Sequence, residues 1–74
     1  MELYLISQDI NNDYDTYDSA VVCAENEEEA RNMYPGGYVS TVTWCLPKDV
    51  KVDHIGSAKN GTEKGVICSS FNAG

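Results

Sequence analysis

The stretch that most constrains the fold is a five-residue apolar run, Ala20-Val21-Val22-Cys23-Ala24, that leads directly into a helix start. β-Branched valines at the centre of so short a run predict a buried strand rather than a helix. Asn26 follows, with Glu29 three residues on, in the arrangement of a capping box. Glu27, Glu28 and Glu29 fill the first turn, where carboxylates meet the positive end of the helix dipole. Ala30, Met33 and Tyr34 fall on one helical face. Pro35-Gly36-Gly37 then stops the helix. A helix of about two turns is not stable alone, so it must dock on a sheet. The unit that runs from Asp13 to Met33 is therefore an acidic loop, a strand and a short helix.

The remaining elements follow from alternation and turn chemistry. Leu3-Tyr4-Leu5-Ile6-Ser7 predicts a first strand, apolar on both faces and so central or well covered. Asp9 to Asp18 is a polar loop rich in Asn and Asp, which favour turns. Tyr38 to Leu46 alternates as a third strand, ended by Pro47 with Lys48-Asp49 in the turn. Val50 to Ala58 is a fourth strand, with Val50, Val52 and His54 on one face and Lys51, Asp53 and Ile55 on the other. Lys59-Asn60-Gly61-Thr62 marks a turn between two strands. Val66 to Phe71 is the fifth strand, and Asn72-Ala73-Gly74 is a tail. The order is β-β-α-β-β-β. This predicts a single α+β domain over residues 1–74: a small, mainly antiparallel sheet of about five strands with one short helix packed on one face.

At 74 residues the core is small, and self-association is a common remedy, so a homo-oligomer is expected. No apolar segment approaches the ~20 residues of a membrane span, and no secretory signal pattern is visible. The net charge of −7 argues against nucleic acid and anionic membrane surfaces as direct partners. Residues 1–30 hold nine of the twelve acidic groups and no basic one. Asp13, Asp15, Asp18, Glu27, Glu28 and Glu29 are thus either a solubilising surface and helix-start electrostatics or a candidate binding surface for a basic partner.

Cys23, Cys45 and Cys68 are far apart and form no CxxC pair, and His54 is the one histidine that could join them. They fit no closed zinc site and predict three small buried apolar residues in a reducing cytosol. The carboxylates at Asp13, Asp15 and Asp18 lack the central Gly and terminal Glu of a calcium loop. No Walker loop, GxSxG, HExxH or GxGxxG is present. The expectation is a protein without catalytic residues, cofactor or metal. Tyr38, Trp44, Ser69, Ser70, Phe71 and Asn72 form a second candidate set. The aromatics offer stacking planes. Ser69, Ser70 and Asn72 offer donors, with Lys48, Lys51, Lys59 and Lys64 nearby. Such a site lies between the strand bearing Trp44 and the tail, at a subunit interface. The same aromatics also suit plain core closure.

The segments LYLISQ, YDTYDSAVVCAENEEEAR, Trp44-Cys45 and GVICSSFNAG resemble a widespread family of small proteins from bacteriophages, prophages and gut bacteria. The resemblance covers about half the chain, at both ends. It carries no assigned enzymatic activity and so transfers no catalytic residue. It implies a phage origin and a setting in the bacterial host cytoplasm. Small acidic phage proteins are often counter-defence factors. The resemblance therefore implies a non-enzymatic accessory protein that binds a host defence protein or sequesters a nucleotide-type immune signal. A structural or regulatory phage protein without an immune role is the alternative.

Overall fold

The computed structural model describes residues 1–73. It contains strands β1 (Glu2–Ser7) and β2 (Thr16–Ala24), helix α1 (Glu27–Arg31), strands β3 (Lys51–Ser57) and β4 (Gly65–Asn72), and a 3-10 turn at Pro47–Asp49. The strands form one antiparallel sheet in the order β3-β1-β2-β4. The expected α+β class and central position of the first strand hold.

The sheet has two unlike faces. Tyr4 and Ile6 of β1 pair with Val22 and Ala20 of β2, and all four belong to the core with Ala24, Ala30, Trp44, Cys45 and Val50. Ile6 and Val22 are fully buried, each contributing about 1.5–3 kcal/mol of transfer free energy. Leu3, Leu5 and Val21 alternate onto the other face, where they stay half-buried. The helix caps as its sequence dictates: the Glu29 N–H donates to Asn26 Oδ1 at 2.8 Å. The Glu29 carboxylate turns back to accept from the Glu25 N–H at 2.9 Å. Arg31 ties the helix to the chain beyond by donating from Nη1 to the carbonyls of Pro47 and Val50.

Several elements differ from expectation. Among the described residues four strands form, because Tyr38–Leu46 is a looped segment. Its backbone is claimed by side chains instead of a ladder. Asn11 Nδ2 donates to the carbonyls of Thr41, Val42 and Trp44, and Ser40 Oγ accepts from the N–H groups of Val42 and Thr43. The second strand starts at Thr16, so Tyr17 and Asp18 belong to it rather than to the loop. The helix ends at Arg31, with Asn32 as its cap, before Pro35 is reached. The turn at Lys59–Thr62 forms, with Thr62 N–H donating to Lys59 O at 3.0 Å. The strands it connects lie at opposite edges of the sheet, so it belongs to a crossover rather than a hairpin. Cys23 and Cys45 are buried as expected, whereas Cys68 is exposed, because β4 is an edge strand. Asn72 closes β4, so the tail begins at Ala73, and Gly74 lies outside the described residues.

Candidate functional site

A groove of about 440 Å³ lies between the segment after α1 and the start of β4. Its walls are Met33, Tyr34, Tyr38, Val39 and Val66, with Lys64 at one side. Local chain chemistry makes it. Met33 N–H still donates to Ala30 O at 3.1 Å, so the chain leaves the helix in a tight turn. Gly37 N–H then donates to Tyr34 O at 2.9 Å. Gly37 takes a φ of +83°, a conformation that side chains disfavour. That turn brings Tyr34 and Tyr38 to the same groove. Tyr38 is 62% exposed. The volume falls within the 300–1,000 Å³ typical of small-ligand sites.

The charge beside the groove is already compensated. Lys64 Nζ lies 3.1 Å from Glu29 Oε2 and 3.9 Å from Glu25 Oε1. The Glu25 N–H and then the Lys64 ammonium hold the Glu29 carboxyl below its ordinary range. The hydrogen bond to Glu29, and then the Glu25 charge, push Lys64 upward. An incoming phosphate would have to displace carboxylates from the groove's lysine.

The six acidic candidates do not form one surface. Asp13, Asp15 and Asp18 sit at the start of β2, whereas Glu27, Glu28 and Glu29 follow its end. Six residues of strand, Ser19 to Ala24, lie between Asp18 and the helix side and span about 20 Å. At the helix, Glu27 pairs with Arg31 at 3.4 Å and Glu28 accepts from Asn32 Nδ2 at 3.2 Å. Asp15 holds a left-handed φ of 62° in the turn that enters β2.

The second candidate set is likewise divided. Tyr38 lines the groove, but Trp44 is 1% exposed and belongs to the core. Among the described residues its indole N–H is the buried side-chain donor without a partner. Phe71 packs tilted against Tyr17 with centroids 4.8 Å apart. Ser69 and Ser70 line a shallow hollow of about 180 Å³ with Leu5, Val21 and Cys68. Asn72 Nδ2 reaches the Asp13 carbonyl at 3.5 Å. The lysines do not converge either, since Lys48 pairs with Asp49 and Lys51 with Asp53.

His54 and the cysteines are not brought together as a dyad. His54 lies on β3, where Nε2 is 3.0 Å from Glu2 Oε1 and the ring tilts against Tyr4. Cys68 is on the opposite edge, three strand spacings or about 14 Å away. Cys45 is buried, and that burial, followed by the Asp49 charge, pushes its thiol upward. Among the described residues no three His, Cys, Asp or Glu side chains gather closely enough to hold a metal ion. None of the described helices is long and apolar enough to cross a membrane.

Gln8 and Asn11 carry a role that sequence reasoning missed. Gln8 Nε2 donates to the carbonyls of Asn11 and Tyr17, both at 2.8 Å. Gln8 Oε1 accepts from the N–H groups of Ile10 and Asn11 at 2.9 and 2.7 Å. Gln8 is itself buried. Asn11 in turn grips the segment from Thr41 to Trp44, which follows the groove wall. The available signal was an amide directly after an apolar strand, followed three residues later by another. Comparison with protein-family models, curated proteins and solved structures gives no match.

Proposed function

We propose that this chain acts by binding a protein partner, with the groove between Tyr34, Tyr38 and Val66 as its contact site. On the resemblance of its two ends, that partner is a component of a bacterial defence system and the chain is a phage accessory protein that blocks it. The observation that carries the binding reading is the open groove, walled by exposed aromatic and aliphatic side chains and flanked by glutamates. Tyrosine is favoured in such contacts because it buries area while keeping a polar handle. A fitting partner offers an apolar anchor for the groove and a basic group for the Glu25–Glu29 corner.

A nucleotide-type signal is the second reading, supported by Tyr34, Tyr38 and Lys64 lining one groove. The engagement of Lys64 by two carboxylates and the charge of −7 weigh against it. The test is titration calorimetry of the purified chain against individual defence proteins and against cyclic and ADP-ribose-type nucleotides. Binding of a defence protein that is lost in Tyr38→Ala is expected. Nucleotide heats lost in the same variant would transfer the function to the second reading. Absence of heat with every probe would favour a structural or regulatory phage role.

A further inference from the structure

We propose, on the footing that the chain binds a protein, that the outer edge of β4 takes up an extended segment of that partner as an added strand, uncharged in its middle and basic at its two ends. β4 stands at the end of the strand order, with β2 inside it. From Gly65 to Asn72 it carries no Lys, Arg, Asp, Glu or Pro, the residues that guard an edge against pairing. The opposite edge, β3, carries Lys51 and Asp53 and is irregular beside Leu3.

The backbone groups that face outward follow from the bonds of β2. The Tyr17 N–H donates to Thr43 O at 2.8 Å, and Tyr17 O accepts from Gln8 Nε2 at 2.8 Å. Both groups of Tyr17 therefore point away from β4, so its register partner Phe71 turns its own N–H and C=O to the free edge. The next residue, Asn72, faces the other way, and its carbonyl accepts from the Asp15 N–H at 2.6 Å. Two residues back from Phe71, Ser69 faces outward by the same alternation. The β2–β4 register slips twice, at Ile67 on β4 and at Asp18 on β2. Neither slip interrupts β4 itself between Cys68 and Asn72, so the outward groups of Ser69 and Phe71 stay in step.

Charge selects the occupant. At the Asn72 end stand Asp13 and Asp15, whose backbone groups bond Asn72. At the Gly65 end Lys64 is engaged by Glu25 and Glu29, and Glu63 precedes it, so that end is negative as well. A neutral strand is thus bracketed by carboxylates about 24 Å apart. Lysines or arginines at the two ends of an added strand meet both groups, whereas a second copy of this chain, at −7, sets carboxylates against carboxylates. Main-chain hydrogen bonds supply the affinity in such strand addition, and the charged ends supply the choice of partner.

Fluorescence anisotropy of labelled synthetic peptides against the full chain tests this. One peptide alternates valine and threonine between lysine ends, and a second has glutamates in place of the lysines. The lysine-ended peptide is expected to bind at least tenfold more tightly, with an affinity that falls as salt rises. Ser69→Pro removes an outward N–H that β2 does not use, a change an edge strand tolerates, and is expected to weaken that binding at least tenfold. A second readout needs no variant: in the native chain the lysine-ended peptide slows amide hydrogen exchange at Ser69 and Phe71. Equal binding of the two peptides would overturn the proposal, as would no binding of either, unchanged exchange at those two amides, or full affinity in folded Ser69→Pro. A native mass of twice 8.1 kDa with both amides already protected would give the edge to a second copy and overturn it too. Any of these failures leaves the groove standing, because that contact is tested separately by defence-protein binding in Tyr38→Ala.

Discussion

Removing the Gln8 side chain strips four hydrogen bonds from the chain at once. Gln8→Ala frees the N–H groups of Ile10 and Asn11 and the carbonyls of Asn11 and Tyr17. A hydrogen bond is worth a net ~1 kcal/mol, and an unsatisfied buried group costs about 1–3 kcal/mol. The loop groups beside Ile10 regain water, so the loss is about 2–3 kcal/mol rather than the full sum. A 74-residue chain has about 4–11 kcal/mol of stability in total. At roughly 4–8 °C per kcal/mol, Tm falls by about 10–20 °C. Urea unfolding followed by the single tryptophan, Trp44, reads the change directly, since Trp44 lies in the core. Gln8→Glu supplies a control of sign. It keeps the acceptor oxygen but sets a carboxylate against two carbonyls, which raises the folded-state pKa of the new group. That variant loses most stability above the ordinary glutamate range and recovers as pH falls. A Gln8→Ala protein within about 0.5 kcal/mol of the native one, the span of an ordinary surface substitution, would refute the clamp.

Further outcomes follow from other residues. In the folded protein a thiol reagent labels Cys68 alone, with Cys23 and Cys45 reacting only in denaturant, because those two are buried; labelling of all three without denaturant would contradict the core. Glu29 has a lowered folded pKa and Lys64 a raised one. Their pairing stabilises fully between the ordinary values of 4.5 and 10.5 and is lost as pH falls through the lowered carboxyl pKa or rises through the raised lysine pKa. Glu29→Gln is therefore less sensitive to acid than the native chain in urea titrations. Asn26→Ala loses about 1 kcal/mol in the same assay, because the Glu29 N–H loses its acceptor. Any complex made through the Glu25–Glu29 corner weakens as salt rises, and an affinity flat in salt would leave the apolar groove alone as the contact.

What was legible in the sequence was local. Valines in a short run, Asn26 three residues before Glu29, and apolar alternation in residues 3–7 each determine their own element. What was illegible depended on distant partners. The alternation of Val39, Thr41 and Thr43 matches a strand, yet Asn11, some thirty residues earlier, takes that segment's carbonyls. Lys59–Thr62 has turn chemistry whether the flanking strands pair or not, and strand order alone makes it a crossover. The acidic groups are close in sequence at Asp18 and Glu27, but the extended strand between them drives them apart. Tyr38 lines a groove at the start of β4 instead of meeting Ser69–Asn72, while Trp44 was drawn into the core with Ile6 and Val22. Its neighbours in the groove, Met33 and Tyr34, read in sequence only as a helix face.

The proposed role is to counter a bacterial defence system through the Tyr38 groove. Plating phage that carry or lack this gene on hosts bearing individual defence systems tests it most directly, with the native chain and folded Tyr38→Ala supplied side by side. Restored plaques on at least one host with the native chain, and none there with Tyr38→Ala, is the predicted result. No rescue on any host, or equal rescue by both chains, would contradict it.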